Sequence, residues 1–202
     1  MKIKFLIYLS LSFLLVACGD DTPRISKLSN DAVILAFGDS LTHGNGAKEK
    51  ESYPAVLQGL TGRKVINAGV SGEESEPGLR RLPGALEQYK PELLILCHGG
   101  NDMLRKKDLG KMEANVQQMI KLAQDQNIPV VLLGVPKPGL FLSSYEAYER
   151  IAESTGVIFI ESVVPEVLGD NGLKSDVAHP NKAGYKVMAE EIYSVLQDSG
   201  AI

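Results

Sequence analysis

Five short runs, at residues 32–37, 65–68, 93–97, 128–133 and 157–160, constrain this chain more than any other feature of it. Each is too brief for a core helix; 32–37 and 128–133, apolar without alternation, read as strands buried as in a parallel sheet, 93–97 as the clearest strand, and 65–68, which contains Asn67, and 157–160 as further short strands. The segments between them carry helical spacing. Tyr53, Val56, Leu57 and Leu60 follow a Ser52 cap with Pro54 in the first turn, and residues 79–89 read as a helix that Pro83 bends or restarts. Met112, Val116, Ile120 and Ala123 repeat behind an Asp108 cap. Residues 144–154 are helical in pattern, and Pro180 and Asn181 open a last helix with Gly184, Met188, Ile192, Val195 and Leu196 on its apolar face. Strand and helix alternating five times predict an α/β fold: a five-stranded parallel sheet in a three-layer α/β/α sandwich with right-handed crossovers. With 202 residues, 44% of them hydrophobic, one domain at 31–202 is expected.

The first 17 residues stand outside this pattern. Lys2 and Lys4 precede an apolar run that is too short for a stable membrane span, so residues 1–17 read as an export signal. Leu15-Val16-Ala17-Cys18 resembles a bacterial lipobox, which implies that Cys18 is acylated and becomes the mature N-terminus. The expected location is outside the cytoplasm, tethered to a bacterial membrane by this lipid anchor and facing the periplasm. Residues 18–30, polar and carrying Pro23, read as lipidated terminus and tether. Loss of residues 1–17 with their two lysines takes the formal charge from −4 to about −6. A mildly acidic chain without a basic patch is not expected to bind nucleic acid. Cys97, inside an apolar run, reads as a small buried hydrophobe, so no disulfide is expected.

Ligands of open α/β sheets bind at the carboxyl ends of the strands, which directs attention to the residues just beyond each run. After the first comes Gly38-Asp39-Ser40-Leu41, where Ser40 is either part of an ordinary turn or an exposed nucleophile. Gly69 to Glu73 leave the second run, and His98-Gly99-Gly100-Asn101-Asp102 the third. Of the three histidines, His43 and His98 read as surface or turn residues. His179 sits in Asp176-Val177-Ala178-His179-Pro180, where Asp176 can bind the ring Nδ1 and leave Nε2 free as a base, although Asp-x-x-His also initiates turns. Gly72 and Asn101 are candidate oxyanion donors, each with an alternative as a turn or loop residue. Residues 136–144 begin as irregular loop and end in Leu140, Phe141 and Leu142, which either line an acyl pocket or pin the next helix to the core.

Taken together, Gly38 to Leu41, Asn67 to Gly72, Gly99 to Asp102 and Asp176 to Asn181 resemble the four motif blocks of the SGNH hydrolases, the GDSL esterases and lipases, in family order. Arg81-Leu82-Pro83 with Gly99 to Arg105 is most similar to the branch of bacterial periplasmic thioesterases that are also arylesterases and lysophospholipases. The resemblance implies a flavodoxin-like strand order and Ser40, His179 and Asp176 as nucleophile, base and orienting acid. It also implies an oxyanion hole from the Ser40 amide, the Gly72 amide and the Asn101 side chain. No metal or cofactor is implied, the partner is a small acyl-ester substrate, and the enzyme is expected to be a monomer. The loop at 136–144 departs from the family branch. A carbohydrate O-acetylesterase of the cell envelope and a non-catalytic envelope-binding lipoprotein are the competing readings.

Overall fold

The computed structural model describes residues 23–139 and 143–202. Strand β1 (Val33–Gly38) lies second from one edge, with β2 (Lys64–Gly69) outside it and β3 (Leu93–Cys97), β4 (Val130–Leu133) and β5 (Ile158–Ile160) on its other side. The sheet order is β2-β1-β3-β4-β5 and every pair is parallel. Ile34 to Phe37 and Leu93 to Cys97 are wholly buried, which is why the sequence there is apolar without alternation. The order reverses between β1 and β3, so a crevice is expected at the carboxyl end of β1.

Helices cover both faces. Helices α2 (Tyr53–Thr61), α7 (Val163–Gly169) and α8 (Lys182–Asp198) form one packed layer. The other contains α3 (Ser75–Tyr89), α5 (Leu109–Gln124) and α6 (Ala147–Thr155). Asp108 caps α5 by accepting from the Gly110 and Lys111 amides, and Asn181 caps α8 by accepting from Ala183 and Gly184. Ser52 occupies the cap position of α2, but its hydroxyl donates to the Glu49 carbonyl instead. Helix α3 runs unbroken through Pro83 and begins at Ser75, four residues before the expected start. Two short helices, α1 (Ser40–His43) and α4 (Gly100–Leu104), stand where the sequence reads as loop, and α7 carries no expectation at all.

The last part of the expected tether is seated on the domain. Ile25 and Leu28 are buried, and their amides donate to the Ser199 and Ala201 carbonyls. Ser29 bonds to Glu92, while Arg63 donates to the Leu28 and Ser29 carbonyls. These partners precede β2 and β3, so the segment lies at the amino ends of the strands. Cys18 lies outside the described residues, as do Leu140, Phe141 and Leu142. Among the described residues, no helix is long and apolar enough to cross a membrane.

Candidate active site

Ser40 is the first residue of α1, directly beyond β1, and the turn is held by its neighbours. Asp39 caps α1 through Oδ1, which accepts from the Leu41 amide at 3.0 Å. Gly38 is required by close packing, because a Cβ there would collide with the Cys97 carbonyl of β3. Val70 donates to the Gly38 carbonyl at 3.0 Å, which fixes the loop after β2 against the serine turn.

The loop before α8 brings His179 to the same place. Asp176 Oδ1 accepts from the amides of Ala178 and His179 at 2.8 and 3.0 Å, and Oδ2 lies 2.9 Å from His179 Nδ1. A carboxylate can only accept, so Nδ1 carries the ring hydrogen and Nε2 accepts from the Ser40 hydroxyl at 3.0 Å. Partial burial pushes the Asp176 carboxyl up, but the Ala178 amide and the His179 ring outweigh it and hold the group below its ordinary value. Ser175 donates to the His179 carbonyl through both its amide and its hydroxyl, which locks the loop. His43 is exposed and bonded to Asn45, away from this arrangement.

Asn101, in α4, is buried beside Asp39. Its Nδ2 donates to Asp39 Oδ2 at 3.2 Å and to the Glu73 carbonyl at 3.1 Å. Both bonds are long, and a charged oxygen arriving near Ser40 would compete for one of them with a shorter, stronger bond. Burial pushes the Asp39 carboxyl up, against the field of His98 and the bonds from Leu41 and Asn101.

An apolar cleft of about 220 Å³ opens beside Ser40 and Asn101. Leu41, Leu104, Val135, Leu168 and Val177 supply its apolar wall. Val177 and Leu104 form an uncovered rim, 76% and 52% exposed. Pro136, Pro138 and Gly139 also line it, so the loop that continues into Leu140 enters the site at its start. Gly72, which adopts φ 76° one residue before Glu73, is absent from the walls of this cleft. Sequence reasoning missed Leu104, Leu168 and Val177, which come from three separate elements that share no spacing.

His98 is wholly buried, against the expectation of a surface or turn residue. It lies behind Asn101 with Glu73 and Arg81. Burial pushes the Glu73 carboxyl up, yet hydrogen bonds from His98 and Arg81 outweigh it and hold it at about 2, against an ordinary 4.5. A lowered folded-state value stabilises the fold above pH 4.5, and that stability is lost as pH falls toward about 2. Unfolding midpoints measured across this window should therefore fall more steeply for the parent protein than for Glu73→Gln, which has no carboxyl to titrate there. Cys97 is a free, buried thiol that burial pushes well up, which makes it a poor nucleophile.

Among known proteins, the model of the GDSL-like Lipase/Acylhydrolase family matches residues 36–187. An arylesterase of Vibrio mimicus is 32% identical over 182 residues, covering 81% of this chain and 87% of the relative. The "Thioesterase 1/protease 1/lysophospholipase L1" of Escherichia coli is 28% identical, covering 81% and 83%. The crystal structure of the esterase EstA from Pseudoalteromonas sp., inhibited by monoethylphosphonate, superposes with a TM-score of 0.73 at 28% identity, covering 83% of this chain and 98% of that one. With a family match over most of its length, a shared fold and esterases among its relatives, the chain belongs to the GDSL-like lipase/acylhydrolase family and is a carboxylic ester hydrolase.

Proposed function

We propose that this enzyme hydrolyses aryl and acyl esters of short to medium chain length through an acyl-enzyme on Ser40. The observation that carries the reading is the 3.0 Å contact of Ser40 Oγ with His179 Nε2, backed by Asp176, at the edge of the apolar cleft. Ser40 Oγ attacks the ester carbonyl and passes its proton to His179 Nε2. The oxyanion is held by the Asn101 side chain and the Ser40 and Gly72 amides, and the imidazolium then protonates the departing alkoxide. Water, deprotonated by His179, repeats the sequence on the acyl-enzyme and frees the carboxylic acid. Asp176, below its ordinary value, stays ionised and steadies the imidazolium at each proton transfer.

The apolar wall favours an acyl chain over a sugar acetate, since each buried methylene contributes about 0.8 kcal/mol. A volume of about 220 Å³ has room for a short to medium acyl chain beside Ser40. The test is kcat/KM across p-nitrophenyl esters of increasing chain length, with an acyl thioester, a lysophospholipid and a sugar acetate alongside. A rise with chain length to a plateau supports the reading; preference for the sugar acetate replaces it with the carbohydrate O-acetylesterase. Leu168→Ala, which enlarges the cleft, should move the optimum to longer chains.

The same reading includes export by residues 1–17, a lipid on Cys18 and action as a monomer, the export and the lipid supported by the lipobox-like sequence. The seven Cα steps from Cys18 to Ile25 reach at most about 25 Å, whereas a domain of this size is roughly 40 Å across. Ile25 to Ser29 are fixed at the amino ends of the strands and Ser40 at the opposite ends, so with a lipid on Cys18 the site would not face the anchoring membrane. In vesicles bearing the lipidated protein, a fluorophore at Lys27→Cys should be quenched strongly by a membrane-borne quencher and one at Val177→Cys weakly. Equal quenching would overturn this orientation, and an unmodified Cys18 by mass spectrometry would remove the anchor itself.

A further inference from the structure

We propose that Glu73, His98 and Arg81 form a clamp, buried at Glu73 and His98 and half-buried at Arg81, that positions Asn101 and the Gly72–Glu73 peptide for the developing oxyanion. The inference rests on Asn101 and Gly72 being oxyanion donors, and the three clamp members are positioning residues that touch no substrate. Glu73 holds both sides of the arrangement. Its carbonyl accepts from Asn101 Nδ2 at 3.1 Å, while its side chain, 7% exposed, accepts from Arg81 at 2.9 and 2.6 Å and from His98 Nε2 at 3.2 Å. A shift of the carboxylate therefore moves the carbonyl that orients Asn101 and the peptide that joins Glu73 to Gly72.

The other two members are themselves immobilised, His98 by the residues and helices around it and Arg81 by the ends of β1 and β2. His98 Nδ1 accepts from the Gly99 amide at 3.0 Å, which leaves Nε2–H to donate to Glu73. Its carbonyl accepts from the Tyr148 hydroxyl at 2.7 Å. A Cβ at Gly78 would strike the His98 ring, so α3 closes on it without a gap. Arg81 lies over the Phe37 ring, 4.0 Å from its centroid, and donates to the Ala68 carbonyl at 3.1 Å. The clamp thus joins the ends of β1, β2 and β3, the three strands that deliver Ser40, Gly72 and Asn101. An ion pair whose carboxylate is buried gains little stability over apolar packing because that ion loses its hydration. What it supplies is direction, and in acyl transfer a displacement near 1 Å at the donors costs on the order of a hundredfold in rate.

The test compares His98→Gln, whose amide can still donate to Glu73, with His98→Asn, whose shorter side chain cannot. We expect the Asn variant to lose about ten- to a hundredfold in kcat with KM within about threefold of the parent, and the Gln variant to keep kcat within about threefold. Arg81→Met, which keeps the aliphatic stem over Phe37, should behave as His98→Asn and serves if that protein does not fold. The clamp is overturned if folded His98→Asn and Arg81→Met keep the parent kcat, if Gln and Asn lose equally, or if the loss lies in KM. Asn101→Ala in the same assay separates the two levels. Parent-like turnover there removes the assignment of Asn101, whereas an impaired Asn101→Ala beside unimpaired clamp variants removes only the clamp.

Discussion

Ser40→Ala and His179→Ala should each lower ester hydrolysis at least about a thousandfold while the protein stays folded, because in the proposed mechanism each removes one end of the proton path from nucleophile to base. The Ser40 hydroxyl bonds to His179 Nε2 and lies at the cleft edge, so its loss opens no cavity in the core. Near-normal secondary structure and thermal midpoint should accompany the lost turnover. His43→Ala is the matched control: that ring is exposed, bonds to Asn45 and should be dispensable. Asp176→Asn should cost substantially too: an asparagine carbonyl that keeps the Ala178 and His179 amides turns its NH2 toward His179 Nδ1 and favours the ring tautomer whose Nε2 cannot accept from Ser40.

Asn101→Ala should reduce kcat by roughly a hundred- to a thousandfold with a much smaller change in KM, as expected of a donor whose bond strengthens only when charge develops. In the free enzyme Nδ2 is shared between Asp39 and the Glu73 carbonyl at 3.2 and 3.1 Å, so it is already oriented and loses little when it turns to the oxyanion. The substitution also leaves the buried Asp39 carboxylate short of one donor, so a modest fall in stability is expected alongside. Steady-state kinetics on one ester with a thermal melt on the same sample would separate the two effects. A loss confined to KM would make Asn101 a substrate-positioning residue.

The sheet was readable in the sequence because a parallel strand is buried on both faces, and Ile34 to Phe37 or Leu93 to Cys97 therefore show unbroken apolar runs. The helices that escaped notice did so for definite reasons. Four residues in α1 and five in α4 are too few to display a period, and Val163-Val164-Pro165 opens α7 with two β-branched residues and a proline. Ile25 and Leu28 look like isolated apolar residues in a polar stretch, and only the folded chain provides the Ser199 and Ala201 carbonyls that dock them.

In the candidate site, the contact of Asp176 with His179 was legible because they are three residues apart and meet through a local turn. The place of Ser40 beyond a strand end was legible too. The partnership of Glu73 with His98 was not, since 25 residues separate them and the contact exists only once β2 and β3 are aligned on either side of β1. The apolar wall was hidden for the same reason: Leu104, Leu168 and Val177 converge from α4, α7 and the loop before α8.

The most direct test of Ser40 as the nucleophile is the site of covalent modification by an aryl phosphonate, whose tetrahedral phosphorus is attacked as an ester carbonyl would be. The expected result is loss of activity in step with one adduct per chain, mapped by peptide mass spectrometry to Ser40, and no adduct on Ser40→Ala. An adduct on any other residue at the point of full inactivation, or full activity with Ser40 modified, would contradict it.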